Sequence, residues 1–120
     1  MTTEEMENLD AWIQINVFGY TKQKEQGYPF RSGYFHQETE DFVLVFDAPK
    51  YTTCPADAIE LLKRCLGKVS TGSLEIYQGC DEAPEYNPVY GITLKEWNQV
   101  IMAETLELAI CKFSQKLYSK

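Results

Sequence analysis

Few residues in this chain are equipped for chemistry. Cys54 stands directly ahead of Pro55 and an apolar-periodic run in "APKYTTCPADAIELLKRCLGK", residues 48–68. A thiol at a helix N-terminus has a lowered pKa and gains nucleophilicity. A catalytic thiol also needs a base, and the single histidine, His36, lies between Phe35 and Gln37 on a predicted strand, with nothing in the sequence bringing it to Cys54. Acidic side chains gather at Glu38, Glu40 and Asp41 and again at Asp81, Glu82 and Glu85. Such clusters can hold a divalent cation through oxygen ligands, but neither follows a Ca²⁺ or Mg²⁺ loop pattern, and solvated turns account for both. Phosphate-loop, dinucleotide and zinc-protease signatures are absent from the sequence. Cys54, Cys65, Cys80 and Cys111 form no C-x-x-C pair and read as reduced thiols. These residues argue for no reaction, no metal and no cofactor.

Binding has better material. Tyr28, Phe30, Tyr34, Tyr51, Tyr86 and Tyr90 fall in or beside predicted loops, where aromatic rings supply rigid contact area and stack on planar ligands. Thr52 and Thr53 precede the free N–H groups of a helix start, a ready anion site. Arg31, alone outside the second helix among the arginines, suits a phosphate or carboxylate. Arg31, Tyr34, Tyr51, Thr52, Thr53 and Tyr90 are therefore the candidate ligand-binding residues, for a small anionic or nucleotide-like molecule. The plainer reading has the rings closing loops over the core and the threonines serving as helix caps.

The elements that must position these residues follow from periodicity. Thr2 with Glu5 has capping-box spacing, and Met6, Leu9, Ile13, Val17 and Tyr20 recur helically, predicting a helix over 3–18 ended at Gly19. Residues 20–32 read as loop. "GYFHQ" and "DFVLVFDA" flank a short polar link and predict an antiparallel hairpin over 33–48, with Phe42 to Phe46 covered on both faces. Pro49 and Pro55 bracket a helix start with Thr53 or Cys54 as N-cap, and Ala58, Leu61, Leu62, Cys65 and Leu66 give a helix over 54–67. Leu74 and Ile76 alternate with Glu75 and Tyr77 as a strand. "VYGITLKEWNQVIMAE", residues 89–104, reads as two strands around a turn near 96–98 or as a helix from Thr93. Leu106, Ala109, Ile110, Phe113 and Leu117 predict a last helix over 104–118, with Leu108 and Cys111 off its main face. Strands and helices do not alternate regularly. The expected fold is α+β, a three-layer sandwich of three helices around a mainly antiparallel sheet, in a single domain over residues 1–120.

Composition narrows the setting. The 120 residues are 44% hydrophobic with sixteen aromatics, a folded globule by composition, and no apolar run approaches the ~18 residues of a membrane span. The net charge is −7, and residues 1–60 hold eleven acidic against four basic side chains. That half repels phosphate backbones, so general nucleic-acid binding is not expected. The acidic opening "MTTEEMENLD" is unlike a secretory signal, and a cytoplasmic location is expected. The second apolar face of the last helix predicts either burial or sharing with another copy, and a homo-oligomer is the expectation drawn from it.

Three segments resemble one family. "NLDAWIQINVFGY" is similar to the first helix of the phage ABA-sandwich domain family, "APKYTTCPADAIELLKRC" to its middle segment and "AETLELAICKFSQKL" to its closing helix, in the family's order. Tyr20 stands where that family usually has tryptophan, Cys54–Pro55 replaces an Asp–Ile pair, and the hairpin over 33–48 looks inserted. The resemblance implies a small phage- or prophage-encoded protein in the bacterial host cytoplasm and supplies no reaction. The function expected on these grounds is non-enzymatic: an accessory binding protein that sequesters a nucleotide-like ligand or a host protein against host defence. The alternative is a small enzyme acting on a nucleotide or related metabolite.

Overall fold

Helix α1, Thr3–Asn16, starts where the capping box places it: the Glu5 N–H donates to Thr2 Oγ1 at 3.1 Å and the Thr2 N–H to Glu5 Oε1 at 3.3 Å. It ends at Asn16 with Val17 as C-cap, and the chain turns away at Gly19, whose φ of +80° is a left-handed value that glycine adopts without strain. The structure is a computed structural model and describes residues 2–25, 31–69, 74–80, 88–97 and 99–119. The fold is α+β, with antiparallel strands throughout the described sheets. The strands divide between two three-stranded sheets, ordered β1-β2-β3 and β4-β5-β6, where a single sheet was expected.

The first sheet holds β1 (Thr21–Glu25), β2 (Arg31–Phe35) and β3 (Phe42–Leu44). The hairpin between β2 and β3 has the expected place, with Phe35 opposite Phe42 and Gly33 opposite Leu44. β1 falls in the stretch read as loop. "TKQKE" has no apolar residue to announce a strand; pairing with β2 from Thr21↔Phe35 to Glu25↔Arg31 supplies the order instead, and a charged sequence suits an edge. β3 is shorter than the apolar run suggested. Phe42 is 37% exposed, and Val45–Asp47 turn into a 3₁₀ segment, so the run is not a strand covered on both faces.

Gly33 is where the hairpin comes closest to itself. A Cβ there would lie 2.7 Å from the Val43 carbonyl oxygen and collide with the Phe42 ring. Backbone cannot yield as a side-chain tip can. Gly33→Ala is expected to cost about 1–3 kcal/mol, measurable as a lowered urea midpoint with unchanged slope. A loss near zero would show that the strands separate at no cost.

Helix α2, Pro55–Leu66, has Cys54 as N-cap in extended conformation and Pro55 in its first turn, as the sequence predicts. Ala58, Leu61 and Cys65 form its buried stripe, while Leu66, assigned to that stripe on spacing, is 46% exposed. β4 (Leu74–Cys80) pairs with β5 (Pro88–Leu94), and β5 with β6 (Ile101–Ala103), which settles 93–103 as two strands about a turn closed by the Trp97 N–H on the Leu94 carbonyl at 2.9 Å. Ile76, expected on the covered face of its strand, is 48% exposed.

Helix α3, Leu106–Tyr118, is capped by Thr105, whose Oγ1 accepts the Leu108 N–H at 3.1 Å. It packs against α1, α2, β5 and β6. Leu108, Ala109, Ile110, Cys111, Phe113 and Ser114 are all buried, and with Leu9, Ile13, Leu61 and Ile92 they form the centre of the core. The second apolar face of this helix is thus taken up within the chain, which removes the reason given for sharing it with another copy. No helix among the described residues is long and apolar enough to cross a membrane.

Candidate functional site

α1 carries two kinds of buried residue. Leu9, Ile13 and Val17 face the core, whereas Asp10 and Gln14, one turn apart, turn beside them toward residues 45–53 and β2. Positions i and i+4 of a helix share a face, with about 5–6 Å between Cβ atoms. Asp10 is 9% exposed and Gln14 3%. Buried polar groups of this kind are normally paired. Asp10 largely is: the Thr52 N–H donates to Oδ1 at 2.9 Å and the Thr52 hydroxyl to Oδ2 at 3.1 Å, which ties the 48–54 segment to α1. Burial raises the Asp10 carboxyl above its usual value, opposed by the Thr52 hydrogen bonds and by the charge of Lys50.

Gln14 is only half satisfied. Its Oε1 accepts the Tyr51 hydroxyl at 2.5 Å, but its amide nitrogen has no partner among the described residues. Tyr34, on β2, is 4% exposed and its hydroxyl likewise has none among the described residues. Burial pushes that hydroxyl up, and the nearby Asp10 charge adds to the shift. Asp10, Gln14 and Tyr34 all border one cleft of about 530 Å³. Its apolar wall is Met6, Val45, Ala48 and Pro49, and Thr3, Glu7, Lys50 and Thr53 complete the lining. A smaller cavity of about 300 Å³, beside Glu104 and Glu107 at the start of α3, shares Met6, Thr52 and Thr53 with it.

The candidate residues from sequence are sorted by this geometry. Tyr34, Thr52 and Thr53 meet at the cleft. Tyr51 does not: it is a core residue, 3% exposed, its ring stacked on Phe18 at 5.3 Å. Tyr90 lies half-buried on β5 and packs against the core. Arg31 begins β2, and its side chain lies outside the described parts, as do Tyr28, Phe30 and Tyr86. The free N–H groups expected at the helix start belong to the first turn of α2, where Ala56 and Asp57 do not line the cleft, and the donors of the segment before it are spent within the chain. The Thr52 N–H goes to Asp10, the Lys50 N–H to Asp57 Oδ2 at 2.8 Å, and the Thr53 and Cys54 N–H groups to the Lys50 carbonyl. Asp10 and Gln14 were missed because helical spacing assigns them to no apolar stripe. Their signal is the interruption itself, two polar residues set among the apolar ones of "LDAWIQINV".

Cys54 and His36 are not brought together. Cys54 is half-exposed and makes no side-chain capping bond. His36 Nδ1 accepts the Thr39 N–H at 3.3 Å while its ring meets the edge of Tyr20. Cys65 and Cys111 are buried free thiols, Cys65 pushed up by burial to about 12, which suppresses thiolate. Serine caps helices better than cysteine does. Cys54→Ser is therefore expected to leave ligand binding unchanged and to raise stability by up to about 1 kcal/mol, read from thermal unfolding. Lost binding with the fold intact would restore a chemical role to the thiol. Among the described residues no group of three or more His, Cys, Asp or Glu side chains could hold a metal ion. Asp81, Glu82 and Glu85 lie outside the described residues.

Comparison of the chain with protein-family models, with curated proteins and with solved structures finds no match in any of the three.

Proposed function

We propose that this protein is a non-enzymatic binding module that sequesters a small, nucleotide-like ligand in the cleft between α1, β2 and residues 45–53. The observation that carries the reading is the pair of buried, unspent donors, on Gln14 and Tyr34, bordering the same apolar-walled cleft as Asp10. An unpaired buried polar group costs about 1–3 kcal/mol. Two of them bordering one cavity are groups that water or a ligand entering the cleft can satisfy. Cavities of this volume, mostly apolar with a few convergent polar groups, are the usual form of small-molecule sites. The resemblance of three segments to the phage ABA-sandwich family supplies the setting, an accessory protein acting in the bacterial cytoplasm. A small ligand suits a cleft of about 530 Å³ better than a host protein does. No observation favours the enzyme alternative.

The test is recovery of the ligand. Protein purified from infected bacterial cells is denatured, and the released small molecules are identified by mass spectrometry. One compound near stoichiometric with the chain, unchanged after prolonged incubation with fresh protein, is the expected result. A compound consumed on incubation would establish the enzyme alternative, and an empty extract would remove the binding reading.

A further inference from the structure

Resting on the proposal of a ligand-binding cleft, the geometry points further, to the chemistry of what is bound. We infer that Asp10, Gln14 and Tyr34 receive an uncharged amide or lactam edge, one that offers N–H and C=O side by side, as heterocyclic bases do.

Charged ligands leave part of the floor unsatisfied or opposed. An ammonium group would pair with the Asp10 carboxylate, but it has no acceptor for the Gln14 amide nitrogen or the Tyr34 hydroxyl. Those two are the groups that lack partners among the described residues. A phosphate or carboxylate would take both donors, yet it would lie against Asp10, a carboxylate whose own bonds to Thr52 already fix it in place. The backbone donors of the segment beside the cleft, at Lys50, Thr52, Thr53 and Cys54, are committed to Asp57, Asp10 and the Lys50 carbonyl, and the first-turn residues Ala56 and Asp57 of α2 do not line the cleft. A carboxylate oxygen retains acceptor capacity after one hydrogen bond, so Asp10 can still receive a ligand N–H. An amide edge supplies the acceptor for Gln14 and Tyr34 and the donor for Asp10 from one planar group. Asp10 and Gln14 stand one turn apart on α1 and share the lining of one cleft with Tyr34 of β2, so a ligand seated there borders all three. The apolar wall of Met6, Val45, Ala48 and Pro49 suits the ring that carries such an edge.

The experiment is a ¹⁵N NMR titration of the full chain with three probes: uracil, butylammonium and inorganic phosphate. Uracil is expected to shift the Thr52 and Thr53 amides saturably, with a Kd on the order of millimolar for so few heavy atoms. Tyr34→Phe should weaken that binding about tenfold. It should not lower stability, since the hydroxyl it removes has no partner among the described residues. Uracil binding untouched by Tyr34→Phe would overturn the assignment of the floor. Saturable shifts with butylammonium or phosphate in place of uracil would overturn the ligand class and leave the cleft as a binding site. Silence from all three probes at Thr52 and Thr53 would overturn both.

Discussion

Phe113→Ala is expected to destabilise the protein by about 3–5 kcal/mol, a large share of the ~5–15 kcal/mol that holds a domain of this size folded. Phe113 has no exposed surface, and its ring stands 5.3 Å from that of Trp97 beside the turn between β5 and β6. It sits on α3, which packs against two helices and two strands, so collapse of the cavity would have to move elements on several sides at once. Ile59→Ala makes the control. Ile59 is on α2 but 42% exposed, and its truncation should cost under about 1 kcal/mol. Urea unfolding of the two variants beside the parent protein measures both. Equal losses would mean that α3 is not the centre of the core.

The second large effect concerns Asp10. Replacement by alanine strips the Thr52 N–H and hydroxyl of their acceptor in a buried place, an expected loss of about 1.5–3 kcal/mol. Asparagine is nearly isosteric and can keep both contacts, accepting from the Thr52 N–H and donating to Thr52 Oγ1. Asp10→Asn should therefore fold well, and its difference from the parent should depend on pH. Burial raises the Asp10 carboxyl in the folded state, so folding favours its protonated form. That contribution to stability is complete below the ordinary aspartate value of 3.8 and is lost as pH rises through the higher folded value. Asparagine loses nothing over that range. From acid to neutral pH the stability difference should shift in favour of Asp10→Asn, while Asp10→Ala stays destabilised near neutrality. A difference that is flat with pH would show that folding leaves the Asp10 carboxyl unshifted, and one that moves the other way would show that its carboxylate is stabilised in the folded state.

The helices were legible because their signals are local. Capping at Thr2, Pro55 ahead of an apolar stripe, and the Leu106–Leu117 spacing each declare themselves within a few residues, and all three helices lie where those signals put them. β1 was not legible, since "TKQKE" becomes a strand through pairing with β2 and not through its own composition. Leu66 and Ile76 were assigned to covered faces by spacing, which fixes a face without fixing whether anything packs on it. The cleft was half legible. Tyr34, Thr52 and Thr53 were marked for their chemistry, but Tyr51 was drawn into the core by its bond to Gln14 and its stacking on Phe18. Asp10 and Gln14 escaped notice because what distinguishes them is burial beside residues distant in sequence. The Asp10–Thr52 bond spans 42 positions, and no periodicity reports it.

Occupancy of the cleft is the most direct readout of a ligand site there. Thr53 is exposed and borders the cleft, so Thr53→Trp should obstruct it without disturbing the core. Native mass spectrometry of the parent protein purified from the cells that express it should show the 13.8 kDa chain carrying a small added mass, and Thr53→Trp, equally folded by circular dichroism, should show the chain alone. The same added mass on both proteins, or on neither, would contradict a ligand site in this cleft.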